Sequence, residues 1–167
     1  MKFLELNKKR HATKHFNDKT VDFKDVRTAI EIAQLAPSAH NIQPWKFVLV
    51  KDKKAALAKD LPALNKDQVE GAQYVIALFT DTDLVQRARK IARIGSKNLP
   101  DDMIGYFMET DQGISSNIIL GFDKTKTNTI LDIDERFRPE LLITVGYTDE
   151  KIEPSYRLPV DEIIEER

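Results

Sequence analysis

The residues best suited to chemistry in this chain come in clusters. Arg10, His11, Thr13 and Lys14 place two permanent cations, an imidazole and a hydroxyl within five consecutive positions. A phosphate monoester is close to a dianion, and several cationic or backbone donors converging from a turn suit it. Each charge-assisted hydrogen bond contributes roughly 1.5–3 kcal/mol. Three of them supply most of the roughly 8 kcal/mol of a micromolar complex. The same cluster also reads as a solvated basic loop after a helix C-terminus, where positive charge suits the macrodipole. A second cluster, Ser38, His40, Asn41 and Gln43, lies in a loop running from Pro37 to Pro44 and ending at Trp45. Its side chains can bind a ligand, or can satisfy the backbone of a well-capped turn. Asn65 alone reads as a helix cap, and Arg157, in Tyr156-Arg157-Leu158-Pro159, as an exposed arginine in a tail.

Other chemistries are excluded. The chain has no cysteine, which removes disulfides, thiolate catalysis and Cys-based zinc sites. His11, His15 and His40 show no H-E-x-x-H or comparable ligand spacing, and no G-x-S-x-G, Walker A or G-x-G-x-x-G pattern occurs. A formal charge of -1 argues against a nucleic-acid partner. The 167 residues, 41% hydrophobic and 32% charged, suit one ordinary globular domain. The start Met1–Asn7 is too short and polar for a signal peptide, and no apolar run suffices for a membrane span. The simplest expected location is the cytoplasm.

The elements that must position these clusters follow from periodicity. Phe3 to Lys9 suggests a short helix. Asp22 is placed to N-cap a helix with Phe23, Val26, Ile30 and Ala33 on one face, stopped by Pro37. Trp45–Val50 and Tyr74–Thr80 are expected as strands, the first buried on both faces. Asp52 is expected to cap a short helix over Lys53–Leu61. Leu84, Ala88, Ile91 and Gly95 line one face of a further helix, whose Arg87, Arg89, Lys90, Arg93 and Lys97 face reads as solvated surface. Asp101–Met108 could form another helix, and Asn117–Phe122 and Leu141–Tyr147 two more strands. The tail from Glu153 to Val160 should be extended. Helices and strands without a regular β-α-β rhythm give an α+β fold around one central sheet.

In this order the clusters resemble the nitroreductase family. Arg10–Phe16 is similar to its R-[RH]-[SA]-x-[RK]-x-F element and Pro37–Trp45 to its P-S-x-x-N-x-Q-P-W segment. Asn117–Asp123 is similar to its P-x-[EG]-G-[FY]-[DN] strand end, and Tyr156–Pro159 to its [KR]-x-R-x-P element. Asn65, six residues before Gly71-Ala72, has the spacing of the family's flavin-binding asparagine. The resemblance implies one FMN-binding domain over residues 1–167 with a nitroreductase-like α+β fold. Its central sheet would be mostly antiparallel or mixed and flanked by helices, and an extended C-terminal tail would cross to the partner of a homodimer. It places Arg10 and His11 at the phosphate and ribityl end, Lys14 at the pyrimidine edge and Arg157 on the phosphate, with Ala12 also among the cofactor-binding residues. Asn65 would pair with the N3 and O4 edge, since an amide both donates and accepts. The backbone of Leu120 and Gly121 would approach flavin N5. Pro37, Ser38 and Asn41 would contact the flavin of the other subunit, with His40 near the substrate opening. The implied reaction is ping-pong: NADH or NADPH passes hydride to N5, leaves, and is replaced by a nitroaromatic or quinone-type acceptor. No catalytic side chain is implied.

Departures from the pattern matter too. Ile118 stands where Pro is common, Leu120 where Glu or Gly is common, and Ser155 replaces an upstream basic residue. More consequential is the interval from Phe107-Met108 to Asn117, too short for the long apolar helix that members carry there. That core helix is expected to be missing between 108 and 113. At roughly 25 cal/mol per Å2, several hundred Å2 of lost burial corresponds to about ten kcal/mol, comparable to a domain's stability. These features also suit a non-catalytic flavin or small-ligand binding protein on the same scaffold, or a flavin-free structural dimer. A genuine deletion requires an intact mass of 19.1 kDa for the expressed protein; a heavier species, measured by mass spectrometry, means that further residues complete the core.

Overall fold

The computed structural model describes residues 11–38, 41–92, 114–151 and 157–163, and within them the strands make one antiparallel sheet. Strands β1 (Trp45–Val50), β2 (Tyr74–Asp81), β3 (Ser115–Ile119) and β4 (Phe137–Gly146) lie in the spatial order β1-β2-β4-β3. Helices α1 (Phe23–Ala33), α2 (Lys54–Ala58), α3 (Ala63–Gly71), α4 (Thr82–Ala92) and α5 (Lys124–Leu131) connect them, with a final 3-10 turn at Val160–Glu162. The helices expected at Phe3–Lys9 and Asp101–Met108 lie outside the described residues. So do Gly95, Arg93 and Lys97.

Alternation within the strands divides the core in two. On one face of the sheet Val50, Val75, Ala77, Phe79, Ile119 and Leu142 pack with Leu57, Ala58, Val69 and Leu131 from α2, α3 and α5. The other face brings Ile76, Leu141, Ile143 and Val145 against Val21, Val26 and Ile114. Phe47, Leu49, Tyr74 and Leu78 on this second face are only partly buried, and Ile118 is more exposed still. The strand β1, expected to be buried on both faces, is half-buried over Trp45–Leu49. The sheet order explains this: β1 is an edge strand, with a paired neighbour on one side only. A bulge between Leu78 and Phe79 shifts the β2–β4 register so that Phe79 faces Pro139. Pairing of β3 begins only at Leu142, so β4 is one-sided at Pro139, where a missing N–H is tolerated.

Local signals set the helix ends. The Asp22 carboxylate accepts the Lys24 N–H at 2.9 Å and starts α1, as its sequence position suggested. Asp52 does not cap the next helix: α2 starts at Lys54, with Lys53 as its N-cap residue and no side-chain cap. The stretch expected to continue to Leu61 instead turns after Ala58, and Pro62 then opens the separate helix α3 at its N-cap. Proline suits that position because a helix start leaves its N–H unused anyway. Asp123 caps α5 by accepting the Lys126 N–H at 3.0 Å, and Asp132 ends it in the left-handed region at φ 56. The exposed Lys126 ammonium lies 2.9 Å from Asp60, holding that carboxyl below its ordinary pKa by hydrogen bonding and charge.

Phe79 is wholly buried against residues from several elements. Phe79→Ala is expected to destabilise the fold by about 3–5 kcal/mol, measured by urea unfolding.

Candidate functional site

Two pieces of the site are held against β3. The first is the basic segment. Ala12 forms a parallel bridge with Ser116, and the Thr13 N–H donates to the Ser116 carbonyl at 3.2 Å. Farther along, the Asn17 N–H donates to the Tyr147 carbonyl at 2.8 Å, and Thr148 Oγ1 donates to the His15 carbonyl at 2.7 Å. Extended backbone alternates its side chains between two faces. Thr13 is accordingly fully buried, while Ala12 and Lys14 are exposed. Thr13 Oγ1 lies 3.1 Å from His11 Nε2, so the imidazole is braced by the chain itself. Glu150 accepts the Lys14 backbone N–H at 3.2 Å and stands 3.8 Å from His15 Nε2. Its carboxylate moderates the positive field of the segment.

Phe16 gives this arrangement a steric lock. A Cβ on Gly146, at the end of β4, would lie 2.6 Å from Phe16 Cδ1 and 3.0 Å from Cγ. Only glycine lets the ring seat there.

The second piece is α3. Asn65 is its third residue rather than its cap, the cap position being Pro62. It is half-buried and its amide makes no side-chain hydrogen bond among the described residues. Three residues on, Gln68 is buried, and its Oε1 accepts a short hydrogen bond from Asn117 Nδ2 on β3. The end of β3 is open: Leu120 and Gly121 lie beyond Ile119, both exposed, and nothing stands within 4 Å of where a Gly121 Cβ would be. The turn closes through the Phe122 N–H to the Leu120 carbonyl, and no acceptor among the described residues takes the Gly121 N–H. A backbone donor with free space beside it, at the end of the strand to which α3 is tied through Gln68 and Asn117, can receive a planar ring with acceptor edges.

The opening loop sits elsewhere. Asn41 and Gln43 adopt left-handed backbone at φ 52 and 48, and Ser38 Oγ accepts the Gln43 N–H at 3.0 Å. The loop feeds β1, on the edge of the sheet opposite to β3. Three strand spacings, roughly 14 Å, separate those edges. Pro37, Ser38 and Asn41 are thus apart from Ala12, Asn65 and Gly121 within one chain. Arg157 is exposed beyond the body of the sheet, and Arg10 and His40 lie outside the described residues. Gln68, Gly146 and Glu150 were missed by sequence reasoning, which singled out Thr13 for its hydroxyl rather than for the buried place it takes and read Asn117 only as the start of a strand motif. The nearest signal was Phe16 in the motif, whose packing demands a partner. No group of three His, Asp or Glu that could hold a metal occurs among the described residues, and none of their helices is long and apolar enough to cross a membrane.

The chain belongs to the nitroreductase family, a family of oxidoreductases: the family model of that description matches residues 8–99. An NAD(P)H nitroreductase-type protein of Streptococcus pyogenes is 65% identical over an alignment that spans 100% of this chain and 100% of its own. A nitroreductase family protein of Streptococcus pneumoniae, 60% identical, superposes with a TM-score of 0.83 over 99% of this chain and 100% of its own. At 22% identity, a nitroreductase-fold protein from Exiguobacterium sibiricum, solved in complex with FMN, shares the fold at a TM-score of 0.77, over 100% and 98% of the two chains. The alignment with the S. pyogenes protein occupies 200 positions against 167 residues here, so 33 positions have no counterpart in this chain.

Gly146→Ala is expected to destabilise the protein by about 1–3 kcal/mol through overpacking against Phe16. Urea unfolding of the single and Gly146→Ala/Phe16→Ala variants checks it, the double variant losing clearly less than the sum of the two singles.

Proposed function

We propose that this chain is an FMN-dependent NAD(P)H oxidoreductase that works as a homodimer on nitroaromatic or quinone-type acceptors. The observation that carries the reading is the open end of β3, with a Gly121 N–H that is unengaged among the described residues, together with the unengaged amide of Asn65 on the helix that Gln68 ties to the same strand. When bound, FMN would supply two-electron hydride chemistry between NADH or NADPH and the acceptor. The chain's own residues bind and orient. The Gly121 N–H and the Leu120 backbone would donate to the reactive edge, and the Asn65 amide would read the pyrimidine with its donor and acceptor together. Lys14 places a positive charge where reduced flavin gathers negative charge, favouring the reduced form. Arg10, His11 and Ala12 would hold the phosphate and ribityl end, with Arg157 as a second anchor. Ser38, Asn41 and Pro37, on the opposite sheet edge, would complete the site of a second subunit, and His40 would flank its opening. The FMN-bound relative supports the cofactor assignment at the level of shared fold.

We also infer that the 33 unmatched positions fall between α4 and β3, where only residues 93–114 connect them. A loss of the interior helix there would favour a second reading, a non-catalytic flavin or small-ligand binding protein. Oxidation of NADH or NADPH with excess FMN and menadione or a nitrofuran separates the two. Turnover supports the oxidoreductase, whereas flavin binding without turnover supports the second reading.

Arg10→Ala is expected to weaken FMN binding by about tenfold or more, the loss of one charge-assisted contact. Quenching of flavin fluorescence on titration measures it, and an unchanged Kd rejects the phosphate assignment.

A further inference from the structure

We propose that Gln68 and Asn117 act as a pair of positioning residues that fix Asn65 on α3 relative to the Leu120–Gly121 end of β3. The inference rests on the flavin-binding reading above. Gln68 is 2% exposed, and its Oε1 accepts from Asn117 Nδ2. Fully buried Thr144 on β4 donates its hydroxyl to the Asn117 carbonyl at 3.3 Å, continuing the polar chain from helix to edge strand to inner strand. Asn117 and Thr144 are also register partners.

The surroundings of α3 explain why this pair matters. Only Gln68 and Val69 of its nine residues are buried. Val69 contributes apolar burial, which is non-directional and permits sliding. The N-terminus has no side-chain cap, and the C-terminus is held by the Lys54 ammonium on the Glu70 and Ala72 carbonyls, an anchor to the preceding helix rather than to the sheet. The Gln68 amide is therefore the directional link from α3 to β3 among the described residues. Asn65 lies three residues earlier, on the same side of the helix as Gln68. Gly121 lies four residues beyond Asn117, in the turn that follows β3. Rotation or slippage of α3 would move Asn65 against the strand end while leaving the rest of the fold in place. Gln68 Nε2 finds no acceptor among the described residues, the condition of a buried donor completed by a bound molecule or an ordered water.

The test compares the wild-type chain with Gln68→Met, which keeps side-chain length but removes the amide, with Asn117→Leu, and with the double variant. Thermal unfolding without flavin, the Kd for FMN, and the midpoint potential and visible spectrum of bound flavin are measured for each. Gln68→Met is expected to weaken FMN binding roughly five- to tenfold, the scale of one neutral hydrogen bond, and to shift the flavin's potential and absorption bands. The double variant should bind no more weakly than the weaker single variant, because both remove one interaction. If Gln68→Met does not fold, Asn117→Ser is read in the same way. A lowered unfolding temperature with unchanged Kd, potential and spectrum assigns the pair to stability alone and overturns the inference. Wild-type protein that binds no FMN overturns the proposed function and this inference with it. Normal binding by wild type and variant alike overturns this inference only.

Discussion

The constraint on which the rest depends is that Ser116 is engaged on both sides. One side of it pairs with Val145 in β4, and the other bridges Ala12 in the basic segment. A short strand held this way cannot shift without breaking both its ladder with β4 and the bridge to Ala12. The segment carrying His11 and Lys14 is thereby set at one end of β3, and Leu120 and Gly121 leave from the other. Five residues of extended chain span up to about 16 Å, so under the proposed reading β3 would act as a ruler between the phosphate end and the ring end of a bound flavin. Phe16 against Gly146 and the Thr148–His15 bond hold the ruler's near end. Gln68 ties α3 to its middle.

The sheet order also explains how one site can need two chains. An antiparallel sheet of four strands has two edges, and under the proposed reading each edge carries part of the flavin site. The β1 edge bears Ser38 and Asn41, and the β3 edge bears Ala12, Lys14 and Gly121. No rearrangement short of breaking β2 or β4 brings the edges together, because those two strands contain the most deeply buried part of the core, including Ile76, Phe79, Leu142 and Thr144. Under the proposed reading, an isologous pair of subunits makes each edge complete the other.

Much of the fold was legible because strands such as Tyr74–Thr80 carry apolar residues at nearly every position and because Asp22 and Pro37 bracket α1 with strong local signals. The helices α3 and α5 were not. Neither shows a clear apolar stripe: α3 buries a glutamine and a valine, and α5 buries a threonine and a leucine. Tertiary contacts rather than periodicity select them. The depth of β1 was misjudged because a run such as Lys46-Phe47-Val48-Leu49-Val50 reads the same at a sheet's centre and edge, and edge position is set by topology. At the site, residues with distinctive chemistry were readable from type and spacing. Those that hold them in place, Thr13, Gln68, Asn117 and Gly146, act through pairings far apart in sequence, which no local pattern encodes.

The bond between Ser38 Oγ and the Gln43 N–H has a consequence for what the opening loop can offer a ligand. It ties the hydroxyl oxygen to the loop's own backbone, at a place where left-handed residues already stiffen the turn. What Ser38 has left to present is chiefly its proton. A molecule meeting this loop is thus greeted by a hydrogen giver on a fixed mount, suited to carbonyl or phosphoryl oxygens and poorly matched to amines.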